Sequence, residues 1–426
     1  MKSPEFVCHA GKGNFSFYDS VVESPFVLYR NQYWIGVIAE EGFSYETATE
    51  LIRKGVLVQL TGILNDGRRI KANALSLTNT QPPENIEGVE FTAAEGISLG
   101  HAEETSPEKS TYPMTGCFKG EIALFHDGWE INTIPCTEPD ILKNIVQKWR
   151  IPVEGMVLQL RHERSTMVQH QDFARIVMNL LSLALGTGVS CDRHIFTWAN
   201  EELEIWRLWT GDEFGPGAII PDYQLVKFLE QTLPTWQSLS HDQQKALRLA
   251  RDYINLSARG YVDTRLLQIF QPWEFLVEAW GIKGTLSDSE SCLRSRLLET
   301  RKQWNQDHSN SDVHGFWGSR ISTIFEWPKL KDAILQLSIS YGLDLKRLGL
   351  DLDLLIEERN SVAHSGKLIE HQTNANRQAF RILTTGQYCL QLLILRMLRY
   401  QGHVNHSTNG MTTIVDIEHA LTTLKT

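Results

Sequence analysis

The spacing of apolar residues changes once along the chain, near residue 220. Before that point, short aromatic and β-branched segments alternate with turn residues, which is typical of β-strands. After it, apolar residues recur at the spacing of one helix face, which indicates amphipathic helices. At 426 residues the chain is also too long for one ordinary hydrophobic core. We therefore predict an α+β protein with a β-rich region over 1–220, an all-α bundle over 221–402 and a C-terminal tail over 403–426.

Turn residues and charge predict how the β-rich region is organised. Asp66-Gly67 joins two apolar segments, and we expect a hairpin there with a type I′ turn, which needs positive φ at both central residues. Two segments with helical spacing, Tyr45–Lys54 and Gln171–Leu185, are expected to interrupt the strands. Residues 79–111 hold seven glutamates against one lysine, which is typical of an exposed connection. This acidic stretch leaves open whether the region has one subdomain or two.

The charge balance excludes one class of nucleic-acid-binding protein. The formal net charge is −10, whereas a protein that coats nucleic acid by bulk attraction is basic, so any nucleic-acid contact must be local. The six cysteines stand singly, which is typical of reduced thiols rather than of a disulfide framework or a zinc site. The first residues lack the apolar segment of a signal peptide, and the apolar runs are too short to span a bilayer. We therefore expect a cytoplasmic protein with no membrane partner.

The most distinctive segment lies in the helical region. Arg359 is followed directly by Asn360, and His364 comes five positions after the arginine. The Ala-His-Ser-Gly ending and a long helix predicted over Asn374–Gln401 set this segment apart. Spacing alone has little weight, because similar arginine–histidine pairs occur at Arg164/His170, Arg301/His308, Arg396/His403 and Arg399/His406.

The segment resembles the signature of the HEPN family, and in particular of its Apea-like branch, whose wording is close to RN-x-x-AH-x-G. The upstream stretch Gln268–Leu276 is similar to the first bundle helix of that branch. The resemblance covers about Pro221–Gly402. It implies a small helical bundle that pairs with a second copy, so that two motifs line one cleft, and that cleaves RNA without a metal or other cofactor.

The family also suggests a biological context. Members with this layout are often prokaryotic defence proteins, in which the N-terminal part senses an invader or regulates the nuclease. The resemblance therefore implies a toxin-like endoribonuclease that acts in anti-phage abortive infection. It further implies an RNA substrate, a homodimer or higher homo-oligomer, and a phage-derived or regulatory trigger bound by residues 1–220.

The side chains of the segment suit this chemistry. Attack of a ribose 2′-OH on the adjacent phosphate needs a base, an acid and positive charge on the phosphate. His364 can exchange a proton near neutral pH, and Arg359 stays charged and can bind two phosphate oxygens at once. Asn360 can orient either group or hold the substrate. Positions five apart on an ideal helix point about 140° from each other, so Arg359 and His364 share a site only through the reach of arginine, a kink or a second copy.

Two residues are candidates to support the catalytic set. Lys367 belongs to a local excess of basic residues between Arg359 and Gly402, which either attracts phosphate or is a solvated helix face. Glu274 has two interpretations on sequence alone, an acid that holds Arg359 or a surface glutamate. Glu357 and Glu358 are expected to face solvent, with pairing of one of them to Arg359 as the alternative.

Other interpretations remain open at this point. The bundle can be an inactive scaffold for dimerisation or ligand binding, or a toxin subunit silenced by a partner that modifies or covers the motif. A metal cluster is not favoured, because the spacing of the candidate ligands matches no zinc or non-haem iron pattern. Those candidates are His162, His170, Asp192 and His194.

Overall fold

The chain divides into two units, Met1–Glu213 and Phe214–Thr426, close to the boundary predicted at residue 220. The structure is a computed structural model. It describes residues 7–30, 35–79, 88–101, 106–115, 121–135, 154–191, 193–206, 215–282, 288–307, 330–365, 375–408 and 411–422. The predicted α+β class is confirmed, because the first unit is rich in strands and the second is mainly helical.

The described residues of the first unit contain one sheet of thirteen strands. The strands are β1 (Val7–Phe17), β2 (Ser20–Arg30), β3 (Ile35–Ala39), β4 (Leu57–Leu64), β5 (Arg69–Asn79), β6 (Val89–Ala93), β7 (Ile97–Gly100), β8 (Lys109–Thr115), β9 (Ala123–His126), β10 (Trp129–Pro135), β11 (Glu154–Arg161), β12 (Arg193–Thr197) and β13 (Glu202–Trp206). They follow the order β4-β1-β2-β3-β6-β5-β7-β13-β12-β8-β11-β10-β9. The two predicted helices are present as α1 (Tyr45–Lys54) and α2 (Met167–Leu185).

Six of these strands close on themselves, because β4 pairs with β1 on one side and with β5 on the other. Alternate residues of the closed sheet point inward and form its core, in which the rings of Phe15 and Phe91 stack with centroids 5.4 Å apart. At the β1–β4 seam, a Cβ on Gly13 would lie 2.9 Å from the carbonyl oxygen of Thr61. The two strands therefore approach closely only because this position lacks a side chain.

The predicted hairpin at Asp66-Gly67 is confirmed as the connection between β4 and β5. The amide of Leu64 donates to the carbonyl of Arg68 at 2.8 Å, and the amide of Gly67 donates to the carbonyl of Leu64 at 2.9 Å. The turn type differs from the prediction, because only Gly67 has a positive φ, of 89°, whereas Asp66 does not. One glycine in the left-handed region is enough for a longer loop built on a type I turn.

The prediction of an exposed connection over residues 79–111 is wrong for the strands β6 and β7 and for the start of β8. In β6, the apolar residues Val89, Phe91 and Ala93 alternate with polar ones and are buried. In β7, Ile97 and Leu99 are likewise buried and alternate with residues that are partly exposed. The composition of the stretch is acidic, but Glu90 lies between the buried Val89 and Phe91 in a period-2 pattern, which net charge does not reveal.

The second unit is a helical bundle with a small hairpin. A short 3₁₀ turn (Asp222–Gln224) precedes the helices. These are α3 (Leu225–Ser238), α4 (His241–Leu256), α5 (Val262–Ala279), α6 (Asp288–Asp307), α7 (Leu330–Ser340), α8 (Leu352–Ser365), α9 (Ala375–Met397) and α10 (Ile417–Thr422), and the hairpin strands are β14 (His403–Thr408) and β15 (Met411–Asp416). Helix α5 is central, because it packs against α4, α7, α8 and α9. No helix in the described parts of the chain has both the length and the apolar character that crossing a bilayer requires.

The end of the chain differs from the prediction. The long helix predicted over Asn374–Gln401 ends at Met397, and Arg399 has a left-handed φ of 58°. Residues 403–426 were predicted to be a tail, but 403–422 contain β14, β15 and α10. Val404 and Ile417 are buried, and the amide of Asn405 donates to the carbonyl of Ile219 at 2.7 Å. Because these apolar side chains pack against the bundle, the segment is part of the second unit.

Candidate functional site

Helix α8 carries the three predicted catalytic residues and presents them on two different sides. Asp351 caps its first turn by accepting a hydrogen bond from the amide of Leu354 at 3.1 Å. Its packed face contains Leu355, Glu358 and Val362, which recur at helical spacing and are buried. The expectation that Glu358 faces solvent is therefore wrong, since it lies three residues after Leu355 on the packed face.

Arg359 borders this packed face and is held on three sides. Its Nη2 donates to Oε1 of Glu274 at 3.2 Å, and its Nη1 donates to Oδ1 of Asn360 at 3.1 Å. Its guanidinium carbon lies 5.1 Å from the centroid of the Phe270 ring, a distance at which a cation is attracted to a ring face. Two of its partners, Phe270 and Glu274, are four residues apart on α5 and therefore share one helix face.

The guanidinium stays accessible despite these contacts. The side chains of Arg359 and Glu274 are 33% and 35% exposed, so solvent weakens the ion pair between them. We estimate that the pair contributes about 0.2–1 kcal/mol to stability. Among the described residues, two of the five N–H donors of the guanidinium make hydrogen bonds, to Asn360 and Glu274. A carboxylate or phosphate can approach the other donors from solvent. The arrangement suits an anion-binding arginine with a fixed orientation.

A groove of about 1070 Å³ adjoins Arg359 between α5, α7 and α8, and we call it the motif groove. Its apolar lining consists of Phe270, Phe275, Val277, Ile282, Leu330, Ala333 and Ile356. Its polar lining consists of Glu274, Glu278, Lys331, Asp353, Arg359 and Asn360. Across it, Nζ of Lys331 lies 2.5 Å from Oδ1 of Asp353. Four of the charged residues of this lining therefore form two ion pairs, and Glu278 is a further carboxylate.

His364 is exposed near the C-terminal end of α8 and is not among the residues that line the motif groove. Helix α8 runs without a break from Leu352 to Ser365. On a regular helix the two side chains leave the axis about 140° apart. The structure thus brings Arg359, Asn360 and Glu274 together and leaves His364 on a separate part of the same helix. Lys367 lies outside the described residues.

Arg396, one of the basic residues that follow the motif, is engaged in other contacts. Nη1 of Arg396 lies 2.5 Å from Oε1 of Glu418, and its Nε donates to the carbonyl of Tyr341 at 3.4 Å. Arg381 and Arg399 are exposed. The charge of Arg396 is therefore partly neutralised by helix α10, which lies in the segment that the sequence predicted to be a tail.

The histidines of the first unit have structural partners. His170 in α2 is buried, and its Nδ1 lies 2.7 Å from the hydroxyl oxygen of Ser110. Burial, with a smaller contribution from His162, lowers the pKa of His170 to about 4. His162 lies 2.8 Å from the hydroxyl of Ser165, and Asp192 falls outside the described residues. Among the residues that the structure describes, no three His, Cys, Asp or Glu side chains are grouped so that they could hold a metal ion.

The sequence alone did not reveal Phe270 or the groove beside it. One available signal was the spacing of Phe270 and Glu274, which places an aromatic ring and a carboxylate on the same face of α5. The site that they form with Arg359 depends on how α5 packs against α8, which no local pattern encodes.

Comparison of the chain with protein-family models, with curated proteins and with solved structures gives no match. Function therefore has to be inferred from the residues of the site and their geometry.

Proposed function

We propose that this chain is a metal-independent endoribonuclease of the HEPN type, and that it acts as an effector in prokaryotic anti-phage abortive infection. One observation carries the proposal. Arg359 is held in a fixed orientation at the rim of an open groove, next to Asn360, on the same helix as His364. The defence context is supported by the resemblance of the Arg359–Gly366 segment to Apea-like HEPN proteins, and the first unit is proposed to bind the trigger.

In the proposed reaction, the ribose 2′-oxygen attacks the adjacent phosphorus while the bond from phosphorus to the 5′-oxygen breaks. A base removes the 2′-hydroxyl proton and an acid protonates the leaving 5′-oxygen. Arg359 binds the non-bridging oxygens and stabilises their growing negative charge. Asn360 positions the phosphate or the arginine. The products are a 2′,3′-cyclic phosphate and a free 5′-hydroxyl.

The separation of His364 from Arg359 on α8 favours a site shared by two copies of the chain. On an uninterrupted helix the imidazole of one copy leaves the axis about 140° from its own Arg359, whereas a facing α8 can present an imidazole to it. A two-fold pair also supplies two imidazoles, one to act as base and one as acid. Dimerisation is therefore part of the proposed mechanism.

A second function is favoured by the ion pair between Arg359 and Glu274. Because the carboxylate already neutralises the guanidinium, the same contacts would suit an inactive bundle that serves as a dimerisation or ligand-binding scaffold. A scaffold does not require His364, so the two functions differ in what the loss of this side chain does.

The test is an RNA-cleavage assay in the presence of a chelator. Purified wild type is compared with Arg359→Ala and His364→Ala, and the matched controls are Arg347→Ala and His241→Ala, which remove exposed side chains of the same types. Loss of the acid–base group or of the phosphate-binding group should slow cleavage by about 10²–10⁴-fold, whereas both controls should cleave at the wild-type rate.

Replacement of the ribose at the cleaved linkage by 2′-deoxyribose should also abolish the reaction, because the nucleophile is then missing. Cleavage that persists in both motif variants would remove the nuclease assignment. A wild type that dimerises but cleaves no RNA, with or without phage infection of the producing cells, would favour the scaffold.

A further inference from the structure

The motif groove is as large as the larger pockets that bind small molecules. Pockets for small molecules typically enclose roughly 300–1,000 Å³, and the groove encloses about 1070 Å³. Three helices supply its apolar walls, and Phe275 contributes a half-buried aromatic ring that is itself braced by Tyr253, with ring centroids 5.5 Å apart. Aromatic and apolar walls of this kind suit the stacking of a nucleobase.

The charges of the groove argue against a ligand with many phosphates. Among the residues that the structure describes, three carboxylates, Glu274, Glu278 and Asp353, line it against two cations, Lys331 and Arg359. Each cation already pairs with a carboxylate, at Lys331–Asp353 and Arg359–Glu274. A polyphosphate backbone lying along the groove would therefore meet net negative charge. One phosphate at the rim, on the accessible side of Arg359, avoids this repulsion, and a neutral base can occupy the interior.

The carboxylates also favour some bases over others. An Asp or Glu side chain only accepts hydrogen bonds when it is ionised, so it pairs with the exocyclic amino groups of bases. Glu278 lies one helix turn after Glu274 on α5 and is exposed, so its carboxylate is available at the edge of the groove. Adenine, cytosine and guanine carry an exocyclic amino group, whereas uracil does not. The one ring donor on the pairing edge of uracil, N3–H, lies between two carbonyl oxygens that a carboxylate repels.

From these observations we infer that the motif groove binds one unpaired nucleobase with an exocyclic amino group, next to the phosphate that Arg359 contacts. This inference rests on the proposed function and deepens it by naming the base that the substrate presents beside the cleaved phosphate. A base inside a duplex cannot enter a groove between helices unless it is unstacked and unpaired. Phe275 and Glu278 are then specificity-determining residues rather than catalytic ones.

Equilibrium binding of 2′-O-methyl oligonucleotides tests the inference separately from catalysis, because these oligonucleotides lack the attacking hydroxyl. Hexamers of adenosine, cytidine and uridine are compared at one fixed salt concentration, using the full-length wild-type chain. A hydrogen bond to a charged acceptor predicts that the adenosine and cytidine hexamers bind about tenfold more tightly than the uridine hexamer. A self-complementary duplex of the same length should bind less tightly than the adenosine hexamer.

Two variants locate the effect in the groove. Glu278→Ala, at an exposed position, should reduce the preference for adenosine over uridine to less than about threefold. Leu330→Glu places a carboxylate in the first turn of α7, where helix geometry tolerates it, and should weaken binding of all hexamers by about tenfold or more. The control is Ile339→Glu, the same kind of change on the exposed side of the same helix, since Ile339 is 70% exposed. It should bind like the wild type.

Equal affinity of the wild type for adenosine and uridine hexamers would overturn the inference, and this measurement needs no variant to fold. Unchanged binding by a folded Leu330→Glu protein would also overturn it. If base preference is absent while cleavage in chelator persists, the base site fails and the nuclease assignment stands. If the preference is present while the wild type cleaves no RNA, the nuclease assignment fails and the groove remains a base-binding site.

Discussion

His170 makes the first unit sensitive to mild acid, and the size of the effect follows from its surroundings. The side chain has no exposed surface, and its ring packs edge-on against Trp129 with centroids 4.8 Å apart. The pKa of His170 is lowered from its ordinary value of 6.5 to about 4. Burial is the main cause, and nearby His162 makes a smaller contribution. The folded chain therefore keeps this imidazole neutral between pH 6.5 and pH 4, where the unfolded chain protonates it.

The sign follows from proton binding. Below pH 6.5 the unfolded state binds more protons at His170 than the folded state, so the free energy of unfolding falls as the pH drops. Above pH 6.5 both states are neutral and the stability associated with this residue is complete. Over the whole window down to pH 4, the loss amounts to about 3 kcal/mol, since one pKa unit corresponds to about 1.4 kcal/mol.

The assay compares wild type with His170→Gln, which keeps a polar side chain beside Ser110 but cannot titrate. Urea unfolding at pH values from 7 to 4 should show a loss of stability in the wild type that is larger than in the variant by up to about 3 kcal/mol. His241→Gln, at an exposed histidine, should follow the wild type. If wild type and His170→Gln lose stability in parallel, or if the His170 ring titrates near pH 6.5 in a nuclear magnetic resonance experiment, the reasoning from burial is refuted.

Three further predictions test contacts elsewhere in the chain. A double-mutant cycle with Arg359→Ala and Glu274→Ala should give a coupling of about 0.2–1 kcal/mol in urea unfolding, and a coupling of zero would contradict a stabilising ion pair. Gly13→Val should lower the unfolding free energy by about 1–3 kcal/mol, because its Cβ would press on the Thr61 carbonyl, and an unchanged melting temperature would contradict this close approach. Val404→Ala should cost about 1–3 kcal/mol because Val404 is fully buried, whereas an unfolded tail would tolerate the change without effect.

Local patterns predicted those elements whose signals are local. Tyr45–Lys54 is a helix with the predicted bounds, because Ser44 caps its start and Gly55 ends it in the left-handed region, at φ 61°. Helix α2 ends at Leu185 as predicted and is followed by Gly186, but it begins at Met167 after a capping box on Thr166, four residues before the predicted start at Gln171. In both cases the residues that define the boundary lie within a few positions of it, so the sequence contains the whole signal.

The acidic stretch and the C-terminal segment were harder to predict, since their partners are distant in sequence. Strand β7 is held between β5 and β13, and β13 lies about a hundred residues later in the chain. The Asn405 contact to Ile219 likewise joins residues from opposite ends of the second unit. Pairings of this kind depend on which edges and faces the rest of the fold leaves open, and composition within a window does not report them.

The sequence by itself determined the change from strands to helices near residue 220 and the motif of Arg359, Asn360 and His364, because periodicity and side-chain chemistry are written into consecutive residues. Tertiary structure decided what surrounds that motif. The packing of α5 against α8 sets Glu274 and Phe270 on the guanidinium, and the continuity of α8 keeps His364 apart from it. Those relations arise from helix–helix packing, in which residues far apart in sequence become neighbours.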